Sequence, residues 1–191
     1  MGLRKVAIFL LIGGVLFSAV TKAQEARLEA EDLLTAEKFI TAFYSFDPDK
    51  LQPHLSNAVA SEPSVSYCQG WAKGGNYIVL NRQQCVFDEP QTISCSITVR
   101  DDLARTLDLD FDVTDTFHLS VVSGTIASIK FTSDDPPIFL EALDWVKANR
   151  PELFKEACRG YFDGGPTPEK CVRVFVRGFK DFAEDRNATV E

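Results

Sequence analysis

The stretch FHLSVVSGTIASIKFT, Phe117 to Thr132, carries the clearest fold signal in the chain. Phe117, Leu119 and Val121 alternate with His118, Ser120 and Val122, the two-residue period of a strand with one buried face. Ser123-Gly124 is a two-residue turn signal, and Thr125–Thr132 returns with Ile126, Ile129 and Phe131. The change of parity between Ile126 and Ile129 predicts a bulge or a strand packed on both sides. An antiparallel hairpin is the unit from which the rest is read.

Working outward, the same alternation extends back through Val113 and Phe111 to Leu109. QTISCSITVR, Gln91 to Arg100, alternates as cleanly, with Ile93, Cys95, Ile97 and Val99 on one side. Val86 and Phe87, ahead of Asp88-Glu89-Pro90, supply a partner strand that brings Cys85 near Cys95. Asp101–Leu107 reads as a short helical excursion.

Helical periods flank these strands. Glu25–Phe46 places apolar residues at 33, 36, 40, 43 and 44. Asp47-Pro48 ends that helix and starts a second, with Asp47 as N-cap and Pro48 at the first helical position; Pro53 keeps it short. Residues 56–66 read as loop. Tyr67, Trp71, Ile78 and Val79 are spaced for a helix over 66–81, weakened by Gly70, Gly74 and Gly75. After Asp134-Asp135-Pro136-Pro137 come a stripe of Phe139, Leu143 and Val146, a break at Asn149-Arg150-Pro151, and a further turn through Cys158. A Gly-rich linker spans 160–166. Thr167-Pro168-Glu169 then caps a last helix with the stripe Val172, Phe175, Val176, Phe179 and Phe182. Helices, a meander of antiparallel strands, then helices again predict an α+β fold. The expected domain spans 24–185, including a C-terminal helical extension 137–185 and followed by a frayed tail 186–191.

The 191 residues are 45% hydrophobic and 25% charged, ordinary values for a globular chain. Met1 to Ala23 reads as a secretory signal peptide: Arg4 and Lys5 precede the apolar run Val6–Val20, and Thr21-Lys22-Ala23 offers the cleavage site, with Ala19 as the alternative. Fifteen apolar residues, two of them Gly, fall short of the roughly 20 that span a bilayer. The expectation is export, to a periplasmic or secreted location, with no membrane span after cleavage. Without that segment the formal charge goes from −8 to −11, the wrong sign for nucleic acid. Export favours disulfides among the five cysteines. Cys85 with Cys95 and Cys158 with Cys171 close short loops, leaving Cys68 over; Cys68 with Cys85 is the alternative pairing. No spacing suits zinc.

Asp47-Pro48-Asp49-Lys50-Leu51 after a helical start, and the hairpin at 117–132, resemble the NTF2-like/SnoaL-like superfamily. SCSITVRDDLARTL (94–107), FLEALDWVKANRPELF (139–154) and TPEKCVRVFVRGFKDF (167–182) resemble a group of uncharacterised exported bacterial SnoaL-like proteins within it. The resemblance implies a cone: a curved antiparallel sheet wrapped on the N-terminal helices, enclosing an apolar pocket, here with extra C-terminal helices. Its members include isomerases, dehydratases, hydrolases and non-catalytic binders, so the fold does not choose among them. In such a cone the pocket lining would come from Phe39, Phe43, Tyr44, Trp71, Tyr77 and Phe117. Tyr44, Trp71 and Tyr77 stand out because each carries a polar atom that needs a partner.

Two residues are candidate general bases. Asp115 falls in the apolar register between Val113 and Phe117. Facing a core, its carboxyl would be pushed up by desolvation, which suits proton abstraction; a bulge or the strand's edge would instead turn it outward. His118 lies on the polar side of the same strand, so the two cannot form a dyad in a regular strand. His54 reads as a solvated helix-end residue. Asp108-Leu-Asp110-Phe-Asp112 begins like a calcium loop but continues with Val113 where that loop requires Gly. No cofactor or metal motif is present, so neither is expected. Three functions follow. The first is a non-catalytic module binding a small apolar molecule or a protein. The second is an isomerase, dehydratase or hydrolase using a pocket Asp or His. The third is a homodimer joined through an apolar patch on the open sheet face. The direction of Asp115 and His118 discriminates between the first two.

Overall fold

A computed structural model describes residues 12–89, 91–158 and 169–188. The elements run α1 (Ile12–Phe43), α2 (Pro48–Leu55), α3 (Glu62–Gly74), β1 (Ile78–Arg82), β2 (Val86–Glu89), β3 (Thr92–Arg100), α4 (Asp102–Thr106), β4 (Val113–Val122), β5 (Thr125–Ser133), α5 (Pro137–Asn149), α6 (Pro151–Ala157) and α7 (Glu169–Ala188). The fold is α+β, with one open antiparallel sheet in the order β1-β3-β4-β5. β2 follows β1 along the same edge of β3, so 78–89 behave as one interrupted strand.

The alternation read from the sequence sets which face is buried. Ile93, Cys95, Ile97, Val99, Val113, Phe117, Leu119 and Val121 all point inward. Ser123 and Gly124 have φ of 51° and 72°, the left-handed pair that a tight hairpin turn requires. The parity change is a bulge: Ser120 faces Ser128 but Val121 faces Ile126, leaving Ala127 over.

α1 lies across the buried face through Ala36, Phe39, Ile40 and Phe43. It grips the hairpin turn: Asp32 Oδ1 accepts from Gly124 N at 2.6 Å, and Thr35 donates to Gly124 O at 3.2 Å. Gln69 of α3 donates to Phe43 O at 3.0 Å, satisfying a carbonyl at the end of α1. Asp47 caps α2 by accepting from Asp49 N, with Pro48 in the first turn.

The C-terminal helices build a second cluster, from Leu103, Phe139, Val146, Val172, Phe175 and Phe179. α5 and α7 meet at Gly178, where a Cβ would come within 2.5 Å of Val146. Disulfides Cys85–Cys95 and Cys158–Cys171 fasten the interrupted strand to β3 and α6 to α7, and Cys68 is free. The Cys68–Cys85 alternative is therefore not formed.

Two expectations are corrected. The helix expected over 66–81 starts at Glu62, inside the supposed loop, and ends at Gly74. Asn76 takes φ of 54°, which stops it, and Ile78-Val79 pair with Arg100 and Val99 in the sheet. Leu109 and Phe111 do not extend β4: Asp108 also has φ of 54°, Leu109 packs on the second cluster, and Phe111 is exposed. The sheet's outer face carries the hydroxyls of Ser94, Ser96, Thr98, Thr114 and Thr116 with His118, beside exposed Ile78, Val86 and Val122. α7 runs to Ala188, and residues 189–191 of the expected tail lie outside the described ones.

α1 is continuous from Ile12 and so enters the expected signal segment, whose residues 1–11 lie outside the described ones. Side chains from Lys22 to Glu31 are exposed, and packing begins at Asp32. No helix among the described residues is long and apolar enough to cross a membrane. The expected linker 160–166 and the cap at Thr167-Pro168 also lie outside the described residues.

Candidate functional site

The two clusters do not fuse completely, and a cavity of about 170 Å³ lies in the seam between them. Each element that lines it does so by its own period. α3 contributes Tyr67, Cys68, Trp71 and Ala72, which share one helical face. β4 contributes Asp115; Phe131 and Ser133 of β5 follow by strand alternation, with Asp135 just beyond. Phe139 and Leu143 come from one face of α5, Phe43 from the end of α1, and Tyr77 from the link into β1. No Lys, Arg or His lines the cavity among the described residues.

Asp115 is the polar centre of this wall. It is 1% exposed and in register with Ile97 on β3 and Ser133 on β5, with no bulge near it to turn it outward. Tyr44 donates to its Oδ2 at 2.7 Å, while Oδ1 accepts no hydrogen bond from the described residues. Burial pushes the Asp115 carboxyl up to about 7, against the opposing pull of the Tyr44 hydrogen bond; the charges of Asp135, Asp101 and Asp134 raise it further. Burial raises Asp135 as well. Burial and Asp115's charge push the Cys68 thiol up to about 12, which keeps it protonated and unreactive at neutral pH. Tyr77 is raised first by burial, then by Asp101 and Asp115.

Asp101 adds to this field from the start of α4. Its Oδ1 caps the helix by accepting from Ala104 N at 2.7 Å; its Oδ2 is fully buried without a hydrogen-bond partner among the described residues. Burial lifts this carboxyl to about 6 despite the backbone hydrogen bonds. Asp101 and Asp135 are absent from the sequence-derived candidates. The available signal is weak: Asp101 precedes a short helix as an N-cap would, and Asp135 belongs to an Asp-Asp-Pro-Pro run that reads as a loop.

The sequence-derived residues divide as follows. Trp71 and Tyr77 line the cavity with Asp115. Tyr44 is not on the wall; it stands behind the carboxylate and holds it. Phe117 is not on the wall either, being buried among Phe39, Phe43 and Phe131 with ring centroids 4.8–5.6 Å away.

His118 does not line the cavity. It occupies the opposite face of the sheet, where Ser94 Oγ lies 2.9 Å from its Nδ1 and donates to Asp88. His118 Nδ1 also lies 3.5 Å from Asp88 Oδ2, and no member of this trio lines the cavity. His54 meets Phe39 edge-on and also lies off the cavity. Asp112, the third acid of the calcium-like run, is held in a two-pronged pair with Arg100 at 2.6 and 2.9 Å. The described residues contain no group of three or more His, Cys, Asp or Glu placed to hold a metal.

Comparison with models of protein families, with curated proteins and with solved structures gave no match.

Proposed function

We propose that residues 24–185 form an exported NTF2-like/SnoaL-like domain that binds a small molecule in the seam cavity, with Asp115 as its anchor. The observation that carries this reading is a buried carboxylate in an aromatic wall, with one oxygen held by Tyr44 and the other unengaged by the described residues. A carboxyl facing an aromatic cavity is costly to desolvate, so its placement there is evidence for a retained role. The order of elements, with an antiparallel sheet packed on N-terminal helices, supports the family assignment. The two disulfides and the exposed stretch 24–31 that follows the signal-like segment support export. A cavity of about 150 Å³ takes a benzene-sized guest, so this one suits a ligand of about one ring.

A second reading, proton transfer on such a ligand, is favoured by the Asp115 carboxyl being poised to about 7 opposite Trp71 and Tyr77. Against it stands the surrounding charge. A base that generates an enolate or oxyanion needs donors or cations beside the developing negative charge. Here Asp135, Asp101 and Asp134 surround the base, and Tyr44 is committed to Asp115. Binding is therefore the primary reading.

A backbone-amide NMR titration of the mature protein with a panel of one-ring compounds tests it. The expected result is saturable shifts at Trp71, Ala72 and Asp115 that vanish in Ala72→Phe, a substitution that fills the cavity. Shifts that avoid these residues, or that persist unchanged in Ala72→Phe, would contradict the reading.

A further inference from the structure

The cavity wall has a chemistry more specific than its size. Six aromatic side chains line it: Phe43, Tyr67, Trp71, Tyr77, Phe131 and Phe139. Its ionisable carboxyls are Asp115 at the floor and half-buried Asp135, with no basic side chain on the wall among the described residues. Tyr44 occupies Oδ2 of Asp115, which leaves Oδ1 as an acceptor without a donor among the described residues. We propose that the ligand is a small organic cation, a protonated amine of about one ring's size, donating to Asp115 Oδ1 with its apolar body against the aromatic wall.

This rests on the reading of the cavity as a ligand site and adds the ligand's chemical class. Each candidate class meets the wall differently. An anion would face Asp115 and Asp135 with no compensating charge. A neutral apolar molecule would fill the space but leave Oδ1 unmatched. An ammonium satisfies Oδ1, neutralises the buried charge and gains from the faces of aromatic rings, an attraction that grows when the cation is desolvated. The same negative surround that opposes an oxyanion favours a cation.

Calorimetric titration of the disulfide-intact mature protein with benzylammonium, benzyl alcohol and benzoate separates these classes, since the three share one ring and differ in charge. The expected result is benzylammonium binding at least about tenfold tighter than benzyl alcohol, with benzoate not bound. Asp115→Asn should bring the ammonium-to-alcohol ratio to about one. Asp135→Asn, at a half-buried position, should lower the ratio while retaining the fold. Equal affinity for the ammonium and the alcohol would overturn the cation class and leave the cavity a ligand site. No binding of any of the three would overturn both.

Discussion

At the scale of residues, Asp115 makes the domain less stable than it could be. Its carboxyl titrates near 7 in the folded chain and near the ordinary value of about 4 unfolded, so the folded state retains a proton that the unfolded state has lost. This contribution to stability is fully present below about pH 4, falls as pH rises toward 7, and is flat above. Asp101, lifted to about 6, acts in the same direction. Asp115→Asn keeps an acceptor for Tyr44 and removes the charge. Thermal melts should therefore show it more stable than wild type at about pH 8, by on the order of a few kcal/mol, with the gain shrinking toward about pH 5. A variant less stable than wild type at about pH 8 would mean that Asp115 is well solvated as a carboxylate. The position was legible in the sequence as an acid in an apolar register; its direction was not, because a single bulge reverses the face a strand residue presents. Asp101 and Asp135 were not legible, since what gathers them round Asp115 is tertiary.

At the scale of elements, the hairpin was read correctly down to its turn, and of the two readings of its parity change the bulge is the one that forms, because period and turn chemistry are local properties. The link between α3 and β1 was not. Tyr67, Trp71, Ile78 and Val79 fit a helical period, but Asn76 and the glycines end the helix, and the β-branched pair finds its partner on β3. Two contacts between elements lead to predictions. Gly178 lets α7 lie against Val146, so Gly178→Val should destabilise the domain by about 1–3 kcal/mol in urea titration through overpacking. Asp32 holds the β4–β5 turn through Gly124 N, so Asp32→Ala should remove about 1–3 kcal/mol, and amide exchange should quicken first at Ser123 and Gly124. Unchanged exchange there would mean that the grip of α1 on the turn is not formed in solution.

At the scale of the whole molecule, the decisive feature is that two hydrophobic clusters meet without merging. The first is the sheet with its N-terminal helices, and the second is the helical extension; both could be anticipated from the order of periods. The seam could not, because it depends on how α5 and α3 close over β4. The disulfides fasten one cluster each. Replacing Cys158 and Cys171 together by Ser should cost about 3 kcal/mol by chain entropy and loosen α6 from α7, while the hairpin keeps its exchange protection. Trp71 spans the seam, lining the cavity while packing on Phe175 with ring centroids 5.4 Å apart. Ligand binding should therefore register in its fluorescence.

The central claim is that Asp115 is a buried carboxyl waiting for a ligand. Carbon-13 NMR titration of the aspartate side-chain carboxyls, run with and without benzylammonium, tests it most directly. The account predicts that Asp115 titrates near 7 in the free protein, apart from the exposed aspartates, and moves to lower pH when the amine is bound. Asp115 titrating with the surface acids near about 4, unmoved by the amine, would contradict it.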